Sequence, residues 1–131
     1  MMGATSGLEK SVKCTAAIAT QFLIAKFGAD DDTLSQATAS TEDLVGVFQH
    51  TTTAAGQEIR VMLDGISRVK LGGTVTRGGL LTSDANGKAV AIGAVGGTNY
   101  AVIGRAMASG VADDIIPMKI ALSRAQGETV S

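Results

Sequence analysis

From Glu58 to Leu71 apolar and polar positions alternate. Ile59, Val61, Leu63, Gly65, Ser67, Val69 and Leu71 occupy the odd positions. Glu58, Arg60, Met62, Asp64, Ile66, Arg68 and Lys70 occupy the even ones. A period of two predicts β-structure with one dry and one wet face. Asp64-Gly65 has the form of a two-residue hairpin turn. That turn pairs Val61 with Arg68 and Ile59 with Lys70, which scatters charge over both faces. A three-residue loop over Asp64–Ile66 keeps every odd residue on the dry side, and so does one strand bent at Gly65. The bent strand is the preferred reading, because a glycine there permits a corner between two sheets.

The rest of the chain reads as short strands and turns. Residues 1–13 are polar without a clean period and read as an N-terminal arm, either floppy or ordered against a neighbouring subunit. Cys14–Phe27 is apolar and reads as a strand pair, or a strand plus loop, before the Gly28–Asp32 turn. Thr33–Ala39 alternates weakly, and Leu44–Phe48 reads as a strand. Ser40–Asp43 has the residues to cap one helical turn. Leu80–Ile92 reads as a hairpin around Asn86-Gly87, pairing Leu81 with Ile92 and Ser83 with Val90. Gly93–Asn99 is a flexible connection. Ala101–Met107 and Ile115–Leu122 close the domain, with Pro117 marking an edge, a start or a bulge. Residues 123–131 form a polar tail. An internal echo at an offset of 58 aligns Phe22-Leu23 with Leu80-Leu81 and Leu44–Gly46 with Val102–Gly104. Two β-rich halves of similar plan would give it, and so would coincidence in an Ala/Gly/Val-rich chain.

Composition narrows the picture. The 131 residues suit one β domain over 14–122, burying roughly two thirds of its unfolded surface. Only three Phe, one Tyr and no Trp are present, so the core must be built from small aliphatic residues. Each buries modest area, at roughly 25 cal/mol per Å2, which makes association with a partner a reasonable source of extra burial. A net charge of -1 with mixed signs argues against nucleic acid as a partner. The single Cys14 reads as a buried hydrophobe. No signal-peptide pattern or membrane-length apolar run appears, so a soluble protein of a reducing cytosol, with no membrane partner, is expected.

Candidate chemistry is sparse. His50 is the single histidine and reads as a solvated loop residue. Asp30–Asp32 lacks the spaced ligands of a calcium loop, and Asp113-Asp114 also reads as a solvated turn. The glycine pairs fall between strands rather than before a capped helix, as a phosphate loop requires. No catalytic, cofactor-binding or metal-binding set is expected. Arg60, Arg68 and Lys70 would form a positive strip on one sheet face, either solvated or a docking surface.

Leu44–Val47, Ala54–Lys70, Gly72–Asp84, Asn86–Val90 and Val102–Ala106, in that order and spacing, resemble tailed-bacteriophage capsid decoration (cement) proteins. The resemblance spans roughly residues 14 to 122. It implies an all-β barrel or sandwich, jelly-roll-like forms included, on the outer surface of an icosahedral head, made in the host bacterial cytoplasm. Such a protein clamps adjacent major capsid protein subunits and carries no cofactor or enzyme activity. It is expected as a homo-oligomer, a dimer at two-fold or a trimer at three-fold positions. Candidate capsid or subunit contacts are Leu8, Lys10, Lys13, Arg60, Arg68 and Lys70. The rival from another class is a small-molecule-binding β-barrel or an accessory domain of an enzyme.

Overall fold

In a computed structural model, which describes residues 9–28, 30–31, 33–92 and 99–126, the chain is all-β. Ten strands run in order: β1 Glu9–Cys14, β2 Ile24–Phe27, β3 Thr33–Gln36, β4 Leu44–Phe48, β5 Glu58–Met62, β6 Gly65–Lys70, β7 Leu80–Ser83, β8 Ala89–Ala91, β9 Asn99–Ala106 and β10 Ile115–Gln126. The first five close a barrel in the order β1-β3-β2-β4-β5. The last five form a second sheet in the order β6-β10-β9-β7-β8.

The 58–71 segment supplies both sheets. β5 pairs with β1 and β4 in the barrel, and β6 pairs with β10 in the second sheet. The corner falls at Gly65, whose φ of 90° suits glycine best. Ile59, Val61, Ser67, Val69 and Leu71 are all buried, so the dry face continues around the corner. Met62 breaks the alternation and is buried, packed in a cluster that joins both sheets.

The two sheets are copies of one plan. β1 with β5, β5 with β4, β4 with β2 and β2 with β3 are antiparallel, while β3 with β1 is parallel. β6 with β10, β10 with β9, β9 with β7 and β7 with β8 repeat those relations. A parallel bridge, Leu71 to Ala89, repeats the last one just past the end of β6. Loop hydrogen bonds correspond singly. Gly56 N–H donates to Cys14 O at 2.8 Å, and Asp113 N–H to Leu71 O at 2.7 Å. Phe22 N–H donates to Phe48 O at 2.9 Å, and Gly78 N–H to Ala106 O at 2.7 Å. Both members of each pair Phe22/Gly78 and Gly56/Asp113 have positive φ. The duplication behind the echo is therefore structural. Its offset is 58 for Leu44–Gly46 but 56 for β2, so Ile24-Ala25, not Phe22-Leu23, matches Leu80-Leu81.

Other expectations change. Residues 9–13, assigned to the arm, form β1 against β5. Residues 123–126, assigned to the tail, continue β10 against the first half of β9 after a register shift. Ser40–Asp43 is a turn, and no helix occurs among the described residues. β10 is an inner strand, so Pro117 is not on an edge. Its carbonyl accepts from Met107 N–H, just past the end of β9, so the missing donor falls outside the ladder. The Asn86-Gly87 hairpin pairs Leu81 with Ala91, Thr82 with Val90 and Ser83 with Ala89, one residue from the expected register. The Asp84 carboxylate accepts from the N–H groups of Asn86 and Lys88, which makes Asp84 the first residue of the turn. Asn86 keeps a negative φ while Gly87 takes +75°, so the loop is longer than a two-residue turn and ends in a glycine bulge. Gly93–Asn99 lies outside the described residues apart from Asn99, which begins β9.

Candidate interaction surfaces

The barrel interior is filled. Phe48 is fully buried among Cys14, Ile18, Ala25, Leu34, Ile59 and Val61. The second sheet encloses the counterparts Ala106, Leu71, Val75, Leu81, Ala89, Ile116 and Met118. Cys14 is buried as expected, its sulfur 3.2 Å from Thr52 Oγ1, which also accepts from Ile18 N–H at 2.9 Å.

The candidate contacts separate. Leu8 lies outside the described residues. Lys10 and Lys13 are exposed on β1. Arg60 is on β5 in the barrel, with Nε 3.3 Å from Glu9 Oε1. Arg68 and Lys70 are on β6, opposite Pro117 and Ile115. The three basic residues therefore belong to two sheets and do not form one strip. Lys70 adds a minor share to the field at Asp113, whose carboxyl is held below the usual range chiefly by its hydrogen bond from Lys88 and that residue's charge. Sequence alternation could not separate them, because the odd-numbered dry face continues around the corner.

One depression was not foreseen. A cleft of about 350 Å3 opens in the first barrel beside β1. Val12, Phe27, Leu34, Val45 and Leu63 line it, with Lys10, Lys13, Asp31 and Glu58 around them. Phe27 is 64% exposed, and it also lines a second depression with Leu122, itself 48% exposed. The sequence signal was Phe27, a scarce aromatic directly before a polar turn.

His50 borders a shallow depression with Ser11, Glu58 and Arg60. Among the described residues no hydrogen bond joins His50 to a hydroxyl or carboxylate, and no group of three His, Cys, Asp or Glu could hold a metal. No protein-family model matches the chain, and a search of the curated proteins finds no match. Among solved structures the fold is similar to the crystal structure of the head fiber gp8.5 N base of bacteriophage phi29. The TM-score is 0.66 at 16% identity, covering 91% of this chain and 98% of that one. At that identity the likeness is one of fold.

Proposed function

We propose that this protein is a structural component of a phage virion, bound to the outside of the head, where it bridges neighbouring major capsid protein subunits. The observation that carries the reading is the match of fold, over nearly the full length of both chains, to the base of a phage head fiber. The resemblance of the Gly-centred blocks to cement proteins points the same way. The centre of the first barrel is filled around Phe48, so the small-molecule-binding alternative is confined to the open cleft beside β1.

In this reading the chain acts through surfaces alone. Lys10 and Lys13 on β1 and Arg68 and Lys70 on β6 present cations on two strands, and several such weak contacts from one assembly sum multivalently on a repeating lattice. The direct test is sedimentation with intact phage heads. Saturable pelleting, with heads that then resist heating better than bare heads, is expected. Protein that stays in the supernatant at every ratio would overturn the reading.

A further inference from the structure

The duplication gives each module a socket and a knob, and the chain uses one of each. In the second module the socket is walled by Val69, Ile103 and Ile120, at most 3% exposed. The first module covers it with Ile24, Val47 and Met62, which share one core cluster with those residues. Two backbone bonds fix the contact: Lys70 N–H donates to Phe22 O at 3.0 Å, and Ile24 N–H to Gly87 O at 2.7 Å.

The first module has the same socket, uncovered. By the matching registers, Val12 corresponds to Val69, Val45 to Ile103, Leu63 to Ile120 and Phe27 to Ser83. Val12, Val45 and Leu63 are half-buried where their counterparts are buried, and Phe27 is 64% exposed where Ser83 is 1%. This socket is the 350 Å3 cleft. The second module likewise has an uncovered knob. Leu80, Arg105 and Lys119 stand where the first module has Ile24, Val47 and Met62, and both cations are exposed.

The changes on the two open surfaces are reciprocal. The knob replaces Val47 and Met62 with Arg105 and Lys119. The socket has Glu58 where the second module has Ile115, and Asp31 in the turn that corresponds to Ala85–Gly87. Lys10 and Lys13 share the cleft, so the rim is mixed rather than wholly acidic. Within the chain the contact is apolar on apolar; between chains it becomes aliphatic at the centre and charge-paired at the rim.

We propose that the cleft of the first module receives the Leu80–Arg105–Lys119 face of a second copy, so that the protein associates head to tail. Such a contact is heterologous: one surface meets a different one, and the assembly grows to a ring or an open chain according to its rotation. The self-association needs no capsid, so its test is separate from that of the virion role.

The test is sedimentation of the purified protein over a range of concentrations at low and high salt. The wild type is expected to exceed its monomer mass of 13.2 kDa as concentration rises, less so in high salt. Phe27→Glu disables the socket, and Arg105→Glu with Lys119→Glu disables the knob. All three sites are exposed, and the one bond lost is that from Arg105 Nη1 to Gly78 O at the surface, so circular dichroism should show both variants folded. Each variant alone is expected to weaken association by roughly tenfold or more. Mixed, the two are expected to form a one-to-one pair, because each keeps the surface that the other lacks. A wild type that stays monomeric at every concentration overturns the proposal. So do variants that associate undiminished, or a mixture of weakened variants that forms no pair.

Discussion

Phe48 lies at the centre of the first module, and at the matching point of the second lies Ala106. Around Phe48 the first module has Cys14 and Ala25; around Ala106 the second has Leu71 and Leu81. Leu34 opposes the trend, since its counterpart is Ala89, but Met118 for Val61 restores volume. The two interiors thus reach similar filling with different parts. What they share is backbone: parallel closure beside β1 and β6, positive φ at Phe22 and Gly78, and positive φ at Gly56 and Asp113. The topology survives exchange of its core because packing demands total volume and dryness more than particular side chains.

The largest expected effect tests that statement directly. Phe48→Ala should destabilise the protein by about 3 to 5 kcal/mol, since the site is fully buried and closed on all sides. Adding Ala25→Leu, which copies Leu81 of the second module, should recover part of the loss. Urea unfolding midpoints measure both. A double variant less stable than Phe48→Ala would break the equivalence of the two interiors.

A smaller effect tests the shared backbone. A Cβ at Gly46 would lie 2.2 Å from Met62 O, and at Gly104 2.2 Å from Lys119 O. Both contacts are with main chain, which cannot swing aside. Gly46→Ala and Gly104→Ala should each cost about 2 to 4 kcal/mol, and by similar amounts. Gly56→Ala, where a Cβ meets nothing within 4 Å, isolates the cost of positive φ and should lose only about 1 kcal/mol. Thermal unfolding of the three variants ranks them. Unequal losses at Gly46 and Gly104 would show that the modules tolerate strain differently.

These particulars explain how much was legible beforehand. The corner at Gly65 followed from alternation, because a hairpin there would have placed Arg68 opposite Val61. The hairpin register at Asn86-Gly87 did not follow, because two backbone N–H groups, of Asn86 and Lys88, donate to the Asp84 carboxylate and outweigh the dipeptide's own preference. The duplication appeared only as a short echo, since Phe48 and Ala106, or Val47 and Arg105, share no side-chain chemistry. The cleft was invisible for the same reason: it is defined by what covers its twin. Basic residues on adjacent strands of sequence could not be assigned to two sheets until the pairing was known.

The smallest effect concerns a device that one module has and the other lacks. Glu42 closes the turn between β3 and β4. Its carboxylate accepts from the N–H groups of Thr38 and Ala39, from the Thr38 hydroxyl and from Lys26 Nζ. Burial alone would raise its pKa, but the hydrogen bonds from Lys26 and Thr38, with the charge of Lys26, hold it at about 2 against an ordinary 4.5. The matching positions in the second module are Tyr100 and Thr82, which cannot form this pair. A carboxylate lowered in the native state stabilises it fully above the unfolded value, and loses that contribution as pH falls from about 4.5 toward 2. The side chain is 23% exposed, so solvent screening reduces the contribution to about 1 to 2 kcal/mol. Glu42→Gln should lower stability by that amount near neutral pH and converge on the wild type as acid is added. Tyr100, the single tyrosine in a chain without tryptophan, is 8% exposed and reports on the second module. One core cluster includes Leu44, Val47 and Met62 together with Ile103 and Ile120, so acid loss at Glu42 should be felt by both modules at once. Tyr100 fluorescence and circular dichroism should therefore fall together with pH. Circular dichroism that falls first would mean that the first module melts alone, and that the contact between modules is weaker than the packing inside either.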